Sequence, residues 1–300
     1  MSPLHQLARA SLMLATMGLA LGCAELRGRS HAREGNRLYK SGDYAAAIAE
    51  YTQAERLAPE LATVVLNKGL ACRQLLLPGS KGPETERGTR CALEAFARFK
   101  AIRPDDPRGE QLYVQTLFDT DSFEALLERY HRQLRSNPSD TAAVNALIQV
   151  YSRKNDWKNA LEWMVRRAEL EPRDADAHYA VGVFIWTTLF QKGGSADKAA
   201  FDPRVTDKQV QAVPLFGVDD IAGQERIRLA DRGIEHLQRA LELRPNYREA
   251  MIYLNLLHRQ KSFAFFERQD QWQASVDAAE TWRAKAAEGG GPAVPPREAP

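Results

Sequence analysis

A fixed period in the placement of proline constrains the fold more than any other feature of this 300-residue chain. Pro104, Pro138 and Pro172 are each 34 residues apart. Proline ends helices because it cannot donate a backbone N–H and clashes with the preceding turn. A recurrence at this interval is typical of stacked two-helix repeats. The intervals from Pro59 to Pro104 and from Pro172 to Pro245 are longer, which predicts insertions in two repeats.

The segment 35–59 shows the repeated unit most clearly. Its apolar residues recur at helical spacing in two blocks, which predicts two short amphipathic helices joined at Gly42-Asp43. Gly35 on the first helix and Ala47 on the second are small enough for the two backbones to approach closely. The sequence therefore predicts a helical hairpin that ends at Pro59.

This hairpin resembles the tetratricopeptide repeat. The residues that carry the resemblance are Gly35, Leu38, Gly42, Asp43, Tyr44, Ala47, Tyr51, Ala54 and Pro59. Over residues 28–286, the resemblance implies an all-α fold, an α-solenoid of about six helical hairpins in a right-handed superhelix with no sheet. It also implies that protein partners bind in a concave groove lined by the first helix of each hairpin.

The same pattern places the remaining repeats. We expect repeats near 28–61, 62–106, 107–140, 141–174 and 175–246, with an inserted loop at 191–218, a capping hairpin at 247–286 and a disordered tail at 287–300. The third repeat departs from the pattern, because Val114 replaces the usual glycine and Leu126 the usual alanine. We therefore expect a more open hairpin there, or one with shifted helices.

The first 23 residues have the pattern of an export signal, with a polar start and an apolar stretch from Leu12 to Leu21 that is too short for a permanent membrane span. Residues 19–23, LALGC, resemble the bacterial lipobox. The resemblance implies that residues 1–22 are a lipoprotein signal peptide, that Cys23 is acylated, and that 23–27 form a short linker. Ala24 after the cysteine implies the outer membrane, facing the periplasm. An ordinary secretory signal with an incidental cysteine is the alternative.

The other two cysteines, Cys72 and Cys91, fall on the two helices of the second predicted hairpin. The end of its first helix and the start of its second lie side by side, and an exported protein sits in an oxidising compartment. We therefore predict a disulfide between them. The alternative is that they are two small buried apolar residues.

The sequence offers no constellation of catalytic or metal-binding residues. None of the six histidines has another at the i, i+4 spacing that places two metal ligands on one helical face. We expect no cofactor and no enzymatic activity. The formal net charge of +2, with both signs spread along the chain, argues against nucleic acid as a partner.

Counting along the first helices of the hairpins predicts which polar and aromatic residues line the groove. They are Asn36, Tyr39, Asn67, Arg73, Arg108, Gln111, Gln115, Asn145, Gln149, Tyr179 and Trp186. Amide side chains can hold a peptide backbone with a donor and an acceptor at once. Asn36 and Asn67 also match two residues of the carboxylate-clamp subfamily of the repeat, but Ala32 and Leu112 replace two of its basic residues.

These features predict a scaffold or adaptor that is anchored by lipid in the cell envelope and binds envelope proteins. Assembly of an envelope machine is one role that such lipoproteins have. The alternative is a lipoprotein that binds a glycan or another small ligand, with the aromatic loop from Phe201 to Phe216 closing over the groove near Trp186.

Overall fold

The computed structural model describes residues 24–76, 82–192, 221–265 and 268–288, and within them it contains helices and no strand. In chain order the helices are α1 (24–40), α2 (Tyr44–Leu57), α3 (Ala62–Arg73), α4 (Pro83–Ile102), α5 (Pro107–Asp119), α6 (Phe123–Ser136), α7 (Thr141–Arg153), α8 (Trp157–Leu170), α9 (Ala175–Lys192), α10 (Gly223–Leu243), α11 (Arg248–Ser262) and α12 (Gln269–Glu288). A 3₁₀ turn, Phe263–Phe265, follows α11. The predicted all-α fold of successive helical hairpins is confirmed.

Successive helices pack against each other as hairpins in the pairs α1/α2, α3/α4, α7/α8, α9/α10 and α11/α12. Their contacts divide the chain into two compact units, Met1–Glu128 and Arg129–Pro300, and the division falls within α6. We call them the first and second units. Leu126, at the position where the repeat pattern has alanine, is completely buried.

Three turns within the hairpins share one backbone feature, a residue with positive φ. Gly42, Asp121 and Asn155 each adopt a positive φ at the point where the chain reverses. Glycine, asparagine and aspartate tolerate this left-handed backbone better than other residues. The next helix then begins with a side-chain cap in two of these turns, where Asp43 and Asp156 accept backbone N–H bonds from Ala46 and Asn159. Recurrent turn chemistry therefore sets the hairpin ends.

In the first two hairpins, close packing between the helices depends on a glycine opposite an aromatic ring. A Cβ added at Gly35 would lie 2.7 Å from the ring of Tyr51, and one added at Gly69 would lie 2.5 Å from the ring of Phe96. Tyr51 is 1% exposed and Phe96 is completely buried. Full burial of a side chain of this size contributes roughly 1.5–3 kcal/mol. In these two hairpins an aromatic ring thus packs directly on the backbone of the facing helix.

Three predicted boundaries differ from the structure. Residues 24–27 of the expected linker are already helical, because Gly28 packs directly against Ala58 and anchors the first turns of α1 on α2. The helix α9 continues through Lys192, so the inserted loop begins later than residue 191. The helix α12 ends at Glu288, which includes the first two residues of the expected tail. The rest of the predicted loop and tail lies outside the described residues, as do the predicted signal peptide and Cys23.

No helix in the described part of the chain has the length and apolar character needed to cross a membrane.

Candidate functional site

Two asparagines on neighbouring first helices meet in the first unit. Asn67 on α3 donates from Nδ2 to Oδ1 of Asn36 on α1 at 3.0 Å, and the hydroxyl of Tyr51 donates to the same oxygen at 2.8 Å. One oxygen therefore accepts two bonds. Among the described residues, no hydrogen bond engages the amide nitrogen of Asn36 or the amide oxygen of Asn67, so a donor and an acceptor lie side by side.

These two amides open onto a cavity of about 290 Å³. Its lining consists of Asn36, Tyr39, Lys40, Tyr51, Asn67 and Leu70. We call this cavity the amide pocket. Within the described ranges, no acidic side chain pairs with Lys40, so the pocket contains one unneutralised cation. It combines an apolar wall, two amides and a positive charge, which suits an extended peptide with an acidic group.

The residues beside the amide pocket are held by bonds between helices. Arg73 on α3 donates to Oε1 of Gln115 at 3.2 Å and to Oδ2 of Asp119 at 2.6 Å, both on α5. Gln74 donates to the hydroxyl of Tyr39 at 3.3 Å. The predicted groove residues Arg73 and Gln115 therefore tie α3 to α5, and they fix the surface that continues from the pocket.

Arg108 does not belong to the amide pocket. Its guanidinium bonds to both oxygens of Asp106, the residue that caps α5, and lies 5.7 Å from the centre of the Phe99 ring. The Arg108 side chain and backbone N–H hold the pKa of Asp106 at about 2. Counting along the sequence placed Arg108 on the correct helix. It could not show that the guanidinium would pair with Asp106, the residue that caps the same helix. Gln111, one turn further along α5, is exposed.

Arg108 instead lines a second opening of the first unit, with a volume of about 870 Å³, near the starts of α3 and α5. Glu60, Arg103 and Asp105 also border it, so its rim carries both signs of charge. Nothing in this mixture selects a ligand class. We therefore place the candidate site at the amide pocket.

In the second unit, the predicted groove aromatics are packed among other rings. Tyr179 lies 4.8 Å from Tyr247, Trp186 stacks on Phe190 at 5.2 Å, and Tyr253 meets both Tyr179 and Trp186 edge-on. Burial raises the pKa of Tyr179 above its ordinary value. A ring whose face is already stacked offers less surface to a sugar, so this cluster does not favour the glycan alternative. The predicted loop from Phe201 to Phe216 lies outside the described residues.

Asn145 and Gln149, both on α7, are exposed. The structure joins neither of them to the aromatic cluster by a hydrogen bond among the described side chains. These two predicted groove residues therefore remain an exposed polar surface of the second unit.

Sequence reasoning missed three members of the amide pocket, which are Lys40, Tyr51 and Leu70, and one histidine pair. Tyr51 was named only among the residues that carry the repeat pattern, yet its hydroxyl donates to Asn36. Lys40 was not placed in the groove although it follows Tyr39 directly. His178 and His236 join Nδ1 to Nδ1 at 3.0 Å, and burial lowers the pKa of His236 to about 4. The two histidines are 58 residues apart, so no spacing rule could have paired them. Among the described residues, no group of three or more potential metal ligands occurs.

The structure joins Cys72 to Cys91 by a disulfide, with a Cα–Cα distance of 5.8 Å. This separation lies in the normal range for such bonds. Cys72 is completely buried on α3, and the bond links α3 to α4 beside the hairpin connection.

Comparison with known proteins agrees with this architecture in one segment. Residues 35–75 match the family model of the TPR repeat. The matched segment runs from α1 through α3, so it contains both amides of the pocket. No curated protein matches the sequence significantly.

Solved structures with similar folds are distant. A double mutant of MamA is 14% identical with a TM-score of 0.33, over 73% of this chain and 95% of that one. YrrB, described as a TPR protein with an unusual peptide-binding site, is 16% identical with a TM-score of 0.31, over 74% and 88%. A monomeric IFIT1 mutant with Gppp-AAAA is 17% identical with a TM-score of 0.33, over 86% of this chain and 50% of that one. Likenesses this weak decide nothing about function.

Proposed function

We propose that this protein is a non-enzymatic adaptor that binds an extended segment of a protein partner at the amide pocket. The observation that carries the proposal is the pairing of Asn36 with Asn67, which leaves a free donor and a free acceptor beside a cavity. An extended backbone offers the complementary acceptor and donor in each residue. The match of residues 35–75 to the TPR repeat supports this interpretation.

The chemistry of the pocket also indicates the character of the segment. Lys40 supplies a positive charge, and Leu70 with the ring of Tyr39 supplies an apolar wall. A segment with one acidic side chain near a small apolar one would pair with Lys40 and pack on this apolar wall. Ala32 and Leu112 pack into the apolar clusters of the first unit, so the basic residues of a terminal-carboxylate clamp have no counterpart there.

We further propose that the adaptor is anchored in the cell envelope through acylated Cys23, at the outer membrane and facing the periplasm. The LALGC ending of the apolar stretch supports this placement. The Cys72–Cys91 disulfide supports it independently, because such bonds persist in oxidising compartments. An adaptor held there would bring envelope proteins together, and assembly of an envelope machine is the process that we propose for it.

Peptide binding should depend on the two amides. We expect Asn36→Ala with Asn67→Ala to weaken binding of a peptide by about tenfold, because each lost hydrogen bond contributes roughly 0.5–1.5 kcal/mol. The peptide is selected from a random library on the immobilised wild-type protein, and its affinity is measured by fluorescence anisotropy. Asn145→Ala with Gln149→Ala removes two exposed amides of the second unit and is the matched control. Equal affinity of the pocket variant and the wild type would exclude the amide pocket as the binding site.

Anchoring should depend on a single thiol. We expect Cys23→Ser to move the protein from the membrane fraction to the soluble fraction, because several acyl chains on one residue hold a protein stably at a bilayer and none remains in the variant. Immunoblots of separated cell fractions measure this. Cys72→Ser with Cys91→Ser is the control, since it replaces the other two cysteines and their disulfide without touching the lipobox. If the Cys23→Ser protein stays in the membrane fraction, the proposed anchor is wrong.

A further inference from the structure

The outer face of α1 carries a stripe of one apolar and three basic side chains. Leu26, Arg29, Arg33 and Arg37 follow one another at three- and four-residue spacing, so at 3.6 residues per turn they fall within an arc of about 80°. Leu26 is a large apolar residue, and it is 67% exposed. We call these four residues the α1 stripe.

The orientation of the stripe is fixed by the opposite face of α1. Gly28 packs against Ala58, and Gly35 packs against the ring of Tyr51. Ala32 and Tyr39 join the same apolar cluster of the first unit. Since this face is buried on α2, the α1 stripe must point away from the hairpin.

The charge of α1 is strongly basic along this outward face. Residues 24–40 contain five basic side chains and two glutamates. The glutamates bond within the helix, Glu25 to Arg29 at 2.7 Å and Glu34 to Arg37 at 2.5 Å. Within the described ranges, no acidic side chain pairs with Arg27 or Arg33. Arg27 lies outside the arc of the α1 stripe, and Arg29 and Arg37 are paired within the helix. Arg33 is therefore the stripe arginine that no acidic side chain of the described residues neutralises.

We infer that the α1 stripe docks on an anionic phospholipid surface. This rests on the proposed function, because the occupant is indicated by the chain that precedes α1. The apolar stretch from Leu12 to Leu21 ends at Cys23, one residue before the described helix begins. An anchor at Cys23 brings the first turn of α1 to the bilayer, and a surface with a positive stripe beside an exposed leucine fits anionic headgroups.

The spacing of the stripe determines how α1 lies on the membrane. At 1.5 Å per residue, Arg37 is about 20 Å along α1 from Ala24, which is too far to reach headgroups if α1 stands upright. The helix therefore lies along the surface, with Leu26 at the boundary of the acyl chains and Arg33 and Arg37 among the phosphates. The buried face of α1 then keeps α2 on the side away from the bilayer. Asn36 and Lys40 follow Arg29 and Arg33 by seven residues, so they lie on the same side of α1 and the amide pocket opens close to the membrane surface.

A single environment-sensitive label tests this arrangement. The full-length acylated protein with Leu26→Cys carries the fluorophore NBD and is reconstituted into vesicles of phosphatidylcholine, alone or mixed with phosphatidylglycerol. We expect a blue shift of NBD emission with the anionic vesicles only, reversed at high salt because screening weakens attraction to the surface. Flotation with the neutral vesicles reports the lipid anchor separately, so failure of the anchor and failure of docking are distinguishable.

Charge neutralisation in the labelled protein completes the test. At roughly 1 kcal/mol per basic residue near an anionic surface, Arg33→Gln with Arg37→Gln should lower the docked-to-undocked ratio by about 25-fold. Arg87→Gln with Arg90→Gln removes the same charge from exposed positions on α4 and should leave the emission unchanged. Docking is overturned if the emission is the same in both kinds of vesicle. It is also overturned if the Arg33/Arg37 variant retains the full blue shift.

Discussion

Gly69→Val is expected to destabilise the first unit by about 3 kcal/mol, the upper end of the cost of inserting atoms into a packed core. A Cβ at residue 69 would lie 2.5 Å from Cε1 and 2.8 Å from Cδ1 of Phe96. Real Cβ atoms do not approach so closely, so a side chain must shift. Phe96 is completely buried among Val65, Ala92 and their neighbours, so a shift of its ring must displace other core side chains. Urea unfolding followed by circular dichroism measures the loss.

The same experiment separates crowding from backbone strain. Gly42 has nothing within 4 Å of an added Cβ, but its φ is +83°. Gly42→Ala should therefore cost about 1 kcal/mol, from the left-handed backbone alone. Phe96→Ala opens the space that a valine side chain at residue 69 would need, so Gly69→Val with Phe96→Ala should lose less stability than the two single variants together. Additive losses would show that Gly69 and Phe96 do not meet.

The sequence predicted the fold because the constraints that make a hairpin are local. Glycine at positions 35 and 69, a turn residue that tolerates positive φ, and a proline after the second helix all act within one repeat. Their recurrence was visible in spacing alone. Boundaries were less accurate where packing extended a helix beyond its sequence signals, as at Gly28, whose contact with Ala58 lies 30 residues along the chain.

The candidate site could be predicted only in part. Asn36 and Asn67 were placed on one surface by counting along the first helices, and the structure joins them at 3.0 Å. Arg108 and Trp186 occupy equivalent helices, yet one is held by its own cap and the other stacks on Phe190. Whether a side chain faces a ligand or bonds to a neighbouring residue depends on side-chain positions, which sequence spacing does not define.

Reduction of the Cys72–Cys91 disulfide is expected to lower the free energy of unfolding of the first unit by about 3 kcal/mol. The bond closes a loop across a sequence separation of 19 residues, and closing a loop of about that length restricts the unfolded chain by this amount in the chain-entropy model. The connection between α3 and α4 lies inside this loop. Reduction therefore increases the conformational entropy of this segment in the unfolded protein. Urea unfolding with and without a reductant measures the difference.

Reduction and replacement together distinguish the cross-link from packing. Cys72 is completely buried, so Cys72→Ala with Cys91→Ala removes buried sulfur as well as the bond and should cost somewhat more than reduction alone. The replaced protein should no longer respond to the reductant, whereas the wild type should. If reduction leaves the unfolding midpoint of the wild type unchanged, the bond does not contribute to stability. Since the same bond supports export, its persistence in protein isolated from cells under thiol-blocking conditions tests the proposed compartment with the same sample.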